Sequence, residues 1–149
     1  REFRKAMGNH IYGCDDCLAI CPWNKFAQAS REAKFAARPG TGNPLLAEIL
    51  DLNDADFRAR FAGTPVKRTG RDRIVRNALI AAGNSGDPDC ARKAETLLDD
   101  RSPLVRAMAV WALARLVEPE RFAHLKQLRA DGDTDDAVRE EWTNEDGTS

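Results

Sequence analysis

The sequence predicts an all-α fold: an array of antiparallel helix pairs over residues 45–142, preceded by an irregular segment that carries cysteines. Val75-Arg76 recurs as Val105-Arg106 after 30 positions and as Val138-Arg139 after 33 more, which is the period of a helical-pair repeat. Apolar residues follow these pairs at helical intervals, and prolines and glycines punctuate the stretches between them.

Residues 1–26 hold three of the four cysteines together with Gly8, Gly13, Pro22 and Trp23, and read as irregular. Residues 27–44 are polar and close on Pro-Gly-Thr-Gly-Asn-Pro, the composition of a linker. Pro44 stands at a helix start, and Leu45, Leu46, Ile49, Leu50 and Leu52 form a short apolar stripe; a second short helix is expected around Asp54 to Phe61. In the first repeat unit Val75, Ala78, Leu79 and Ala82 share one helical face, and Gly83-Asn84-Ser85-Gly86 is expected to end that helix. Pro88 then opens a helix running to Leu98. In the second unit Val105, Met108, Ala109, Ala112 and Leu116 repeat the stripe behind Pro103, and Pro119 opens a partner expected to bury Phe122, Leu125 and Leu128. A two-helix unit with one apolar face is not stable singly and must stack on its neighbours. Ala78, Ala81, Ala82, Ala109 and Ala112 admit close helix approach, Trp111 is expected to pack inside the array, and Cys90 to be structural. From Asp131 to Ser149 there are eight acidic residues against Arg139 alone, and residues 143–149 are expected to be a flexible, solvated tail.

Composition narrows the function classes. A chain of 149 residues with 42% hydrophobic content supports a buried core and is not a disordered tail. Lys and Arg number 23 against 24 Asp and Glu, for a net charge of -1, so any nucleic-acid contact must be local. The mean hydropathy is -0.54, and no apolar run approaches the ~18–20 residues that span a bilayer, so no membrane partner is expected. Arg1-Glu2-Phe3-Arg4-Lys5-Ala6 lacks the apolar stretch of a signal peptide. Four cysteines are too few for a disulfide scaffold, and three lie within eight residues, pointing to a metal in a reducing, cytoplasmic compartment. The sequence reads as a piece of a longer protein.

Gly13-Cys14-Asp15-Asp16-Cys17-Leu18-Ala19-Ile20-Cys21-Pro22 has the spacing C-x2-C-x3-C-P. It reproduces the last three cysteines and the proline of the bacterial ferredoxin run, in which two thiolates serve one cubane and the last cysteine serves a second. On that division Cys14 and Cys17 bind one [4Fe-4S] cluster and Cys21 the other. A cubane takes four thiolates, so the remaining ligands are expected upstream of this chain. A structural zinc site, a redox dithiol and inert thiols are the competing readings. Without metal, residues 1–26 are expected to be the loosest part of the chain.

A second constellation runs from Arg58 to Arg76, where Arg58, Arg60, Lys67, Arg68, Arg71, Arg73 and Arg76 face Asp72 alone, a local charge of +6. Cations on one edge can neutralise neighbouring phosphates. Lys67-Arg68-Thr69-Gly70-Arg71 reads as an exposed loop, while Arg73 and Arg76 share a helix face with Asn77. Arg76 carries the larger risk of being structural, because Arg106 and Arg139 recur at its repeat position; a carboxylate such as Asp72 would be its partner. The plainer alternative is a solvated face, or arginines paired with the acidic tail. No aromatic residue stands between Lys67 and Arg76, so base stacking is not indicated.

The stretches GNHIYGCDDCLAICPWN (8–24) and FAGTPVKRTGRDRIVRNALIAAGNSG (61–86), in this order, resemble the epoxyqueuosine reductase family. The resemblance covers most of the chain and implies a HEAT-like helical-repeat domain behind part of a two-cluster ferredoxin-like module. It further implies an N-terminal cobalamin-binding domain outside this chain, two [4Fe-4S] clusters fed by an external electron donor, and a tRNA carrying epoxyqueuosine as substrate. Of the family's site residues only the cluster ligands Cys14, Cys17 and Cys21 carry over, with Lys67, Arg68, Arg71, Arg73 and Arg76 as candidates for the tRNA backbone. The catalytic acid and the cobalamin contacts fall in the absent part, so the isolated chain is expected to be inactive. A HEAT-like interaction module with a structural zinc and no redox role is the alternative.

Overall fold

The structure, a computed structural model, describes residues 1–28 and 44–143. The expected linker and tail therefore fall largely outside the described residues. Helices α1 (Asp16–Ala19), α2 (Leu46–Leu50), α3 (Asp54–Arg60), α4 (Val66–Thr69), α5 (Arg71–Ser85), α6 (Pro88–Thr96), α7 (Pro103–Leu116), α8 (Pro119–Arg129) and α9 (Asp136–Thr143) follow in chain order, with no strand among the described residues. No helix among them is long and apolar enough to cross a membrane.

The Val-Arg recurrence marks equivalent places in three stacked first helices. Val75, Val105 and Val138 are all fully buried, and α5 packs on α7 as α7 packs on α9. Each valine contributes about 1.5–3 kcal/mol by leaving water. Pro88, Pro103 and Pro119 each occupy the first turn of a helix, where the missing N–H has no intrahelical partner to lose. The Asp87 carboxylate accepts from Asp89 N–H at the start of α6, and Asn53 Oδ1 accepts from Asp56 N–H at the start of α3, both ordinary N-caps. Ile49, Leu50, Leu52, Phe57 and Phe61 close the open end of the first unit.

Two packing expectations are corrected. Gly83 does not end α5: it is buried mid-turn, and the helix runs to Ser85 before Gly86 takes a left-handed conformation at φ 66. Leu128 is 65% exposed, because α8 lies on the array through Leu125 and through Phe122, which stacks on Trp142 at 5.4 Å. Ahead of the expected tail, the acidic stretch is partly packed. Glu141 is buried, and Asp133 forks onto Arg106 at 2.6 and 2.9 Å. Trp111 and Cys90 are buried as expected.

Residues 1–11 form turns without helix or strand. They lie on the first-helix layer, with Met7 and Ile11 against the core and Arg1 and Arg4 paired to Glu141 on α9.

Candidate cysteine segment and nucleic-acid interface

Gly13 at φ 64 and Asp15 at φ 54 turn the chain into α1. Cys14 precedes that helix, Cys17 sits within it, and Cys21 follows it at the start of a tight turn that begins with Pro22. The turn is folded back on α1 by Asn24, whose side-chain amide donates to the carbonyls of Leu18 and Ala19. Its own N–H donates to Cys21 O at 3.0 Å. Cys14 and Cys17 are exposed and Cys21 is half-buried, all as free thiols. Around them Leu18, Ile20, Trp23 and Phe26 are exposed to between 61% and 83%.

In kind, these donors suit iron and sulfur: three thiols on a short, sharply turned segment, with no histidine or second cysteine pair at zinc-finger spacing. In number they supply three of the four thiolates a cubane needs. Among the described residues no three His, Cys, Asp or Glu side chains converge into a ready metal site. Cys90 is remote in character: buried, and with its thiol pushed above the usual value by burial and then by the Asp87 carboxylate.

The basic stretch divides. Lys67-Arg68-Thr69 is not loop but the short helix α4, with Lys67 and Arg68 exposed on it. Arg71 is not on the edge at all. Its side chain is 8% exposed, donates to Leu52 O at 2.8 Å and pairs with the equally buried Asp100 at 2.6 Å. Being the first residue of α5 turns it inward, between the closing helices and the second unit. Arg60 is committed to Glu48 at 2.8 Å. Arg58 and Arg73 are exposed.

Arg76 also reverses expectation. The repeat counterparts are paired, Arg106 with Asp133 and Arg139 with Asp136. Asp72 instead serves Arg71. Among the described residues Arg76 has no carboxylate partner, and its Nε is buried without a hydrogen bond. Burial, and then the guanidinium groups of Arg4 and Arg73, hold it below the usual arginine value. The exposed cations are thus Arg58, Lys67, Arg68 and Arg73, with Arg76 half-buried beside them.

Sequence reasoning missed a polar seat on the same layer. Asn77 Nδ2 donates to Ile11 O at 2.7 Å, and Asn84 Nδ2 donates to Arg4 O at 2.8 Å and Gly8 O at 2.9 Å. The available signal was their spacing of seven, two helical turns apart on one face.

The family model for HEAT repeats matches residues 68–143, just over half of the chain. An epoxyqueuosine reductase of Xanthomonas campestris pv. campestris is 42% identical over 115 residues, covering 76% of this chain and 32% of the relative. That of Alicycliphilus denitrificans is 42% identical over 120 residues, covering 75% and 33%. Among solved structures, an epoxyqueuosine reductase with an epoxyqueuosine-modified tRNA-Tyr stem loop is 27% identical, with a TM-score of 0.87 over 95% of this chain and 38% of its own. One from Streptococcus thermophilus is 30% identical, with a TM-score of 0.80 over 95% and 37%. The chain spans about a third of the length of the curated relatives it matches.

Proposed function

The chain belongs to the HEAT-repeat family, and from its relation to epoxyqueuosine reductases we propose that it is the part of such a reductase that supplies iron–sulfur ligands and contacts tRNA. The observation that carries this reading is the superposition of 95% of the chain on a reductase solved with a modified tRNA stem loop. The C-x2-C-x3-C-P run supports it independently. The whole protein would convert epoxyqueuosine in tRNA to queuosine in the cytoplasm.

When bound, two [4Fe-4S] clusters and cobalamin supply two electrons that, with two protons, remove the epoxide oxygen as water. This chain's share is ligation and placement. Cys14 and Cys17 would hold one cluster and Cys21 the other, with Pro22 turning the chain out of the site; the remaining thiolates and the cobalamin site would be supplied by other parts of the whole protein. Cys14 and Cys17 are exposed, which leaves both sulfurs within reach of a metal. The Asn24 bonds to Leu18 and Ala19 keep Cys21 at a fixed turn from Cys17. Lys67, Arg68 and Arg73 offer phosphate contacts at the edge of the array, and Arg71 does not.

The test is anaerobic purification of the full-length protein with iron counting, visible absorption and redox titration. Two clusters are expected, with Cys14→Ser and Cys21→Ser removing different spectral components. Identical losses would refute the division of ligands. Colourless protein with stoichiometric zinc would refute the redox reading.

A further inference from the structure

Helix interiors disfavour asparagine, whose side chain competes for backbone partners. Yet α5 carries two, and both reach out to residues more than sixty positions away. Asn84 spends both hydrogens of its amide, one on Arg4 O and one on Gly8 O, which is the full donor capacity of that group. Asn77 takes Ile11 O.

On α9, Glu141 has a side chain only 4% exposed, and it pairs with Arg4, gripped through both terminal nitrogens, and with Arg1. The Arg4 guanidinium also lies over the Trp111 ring of α7, 5.6 Å from its centroid. A buried carboxylate whose cations, among the described residues, come from residues 1–4 is costly to leave alone. The array is thus built for an occupied seat. The segment itself brings little apolar anchorage, only Met7 and Ile11 half-buried, so polar contacts decide whether it stays.

We propose that Asn77, Asn84 and Glu141 are positioning residues: they hold residues 1–11 on the first-helix layer and thereby set where the cysteine segment stands relative to the array. Three residues reach at most about 11 Å, so with Ile11 held on α5 by Asn77 Cys14 stays within about that distance of the tether point on the array. The inference goes beyond the reductase reading and holds whatever the thiols bind.

Hydrogen exchange on the complete chain tests it. In Asn77→Ala/Asn84→Ala the amides of Met7, Gly8 and His10 should exchange about tenfold faster or more, while Leu79 and Val110 inside the array keep their protection. Arg4→Glu acts from the segment side and changes no residue of the array helices, so it decides the matter if the double alanine variant does not fold. It should free the same amides, and Arg4→Glu/Glu141→Arg should restore them. The placement itself is read as the spin-label distance distribution between Cys14 and a label at Leu104→Cys, with the other cysteines replaced by serine. It should be narrow in the parent and broad in the asparagine variant. Unchanged exchange at Met7, Gly8 and His10, no recovery on the reciprocal swap, or an unbroadened distance distribution would each overturn the proposal.

Discussion

A glycine inside a helix costs about 1 kcal/mol relative to alanine, and Gly83 lies inside the fifteen-residue α5. Its retention has a local cause. A Cβ there would lie 2.7 Å from Trp111 Cζ3 and 3.2 Å from the Ala112 backbone. The indole has no room to yield, since Arg4 and Arg115 both pack on it, and Arg115 Nε is itself held by Gly83 O at 3.0 Å. Overpacking of this kind costs about 1–3 kcal/mol, more than the helix gains from alanine. Gly83→Ala should therefore lower the urea midpoint; a raised midpoint would show that the α5–α7 contact relaxes freely. From the sequence, Gly83-Asn84-Ser85-Gly86 reads as a stop because glycine signals both a left-handed turn and a close approach. Only Gly86 is the turn. The same ambiguity hid Asn84, which reads as a breaker and serves as a seat for Arg4 and Gly8.

Among the elements, what was legible is what depends on local pattern. Pro88, Pro103 and Pro119 sit in first turns, and the valines of the Val-Arg pairs are interior, because periodicity and proline geometry act within a few residues. What depended on a distant partner was not. Leu128 looked like the third residue of a buried stripe, but α8 meets the array through fewer residues than a stripe supplies. Arg106 looked like Arg76, yet it ties α7 to the turn before α9 through Asp133. That link has a consequence for acid stability. Arg106, by hydrogen bonding, holds the Asp133 carboxyl below the usual aspartate value against the opposing effect of burial. A carboxyl depressed on folding stabilises fully above its unfolded value, and the contribution is lost as pH falls from there through the folded value. Asp133→Asn should cost about 1.5–3 kcal/mol at neutral pH, as for a hydrogen bond to a charged group. The gap between variant and parent in denaturant titrations should narrow as pH drops below the usual aspartate range. A gap that does not change with pH would mean that the pair contributes through shape alone.

At the scale of the whole molecule, a net charge of -1 conceals an uneven distribution of partners, and the structure sorts the arginines by that criterion. Arg71, Arg106, Arg121, Arg129 and Arg139 are matched to carboxylates across or along the array, whereas Lys67, Arg68 and Arg73 are exposed with no ion pair among the described residues. Sequence could locate the +6 stretch but not divide it, because pairing is decided by which helix lies opposite. A variant chosen from sequence would have included Arg71 and reported a folding defect: removing one partner of the buried Arg71–Asp100 pair leaves an uncompensated charge. The informative variant of the full-length protein is Lys67→Ala/Arg68→Ala/Arg73→Ala. Phosphate contacts carry no base identity, so tRNA affinity should fall about equally for substrate and non-substrate tRNA. Three lost contacts should also flatten the slope of log affinity against log salt by roughly 2 to 3, at 0.7–0.9 per phosphate. The urea midpoint should stay close to that of the parent, since substitutions of exposed, unpaired side chains change stability by about 0.5 kcal/mol or less. Weaker binding with an unchanged salt slope would point to lost shape rather than lost charge, and unchanged binding would make this edge a solvated face.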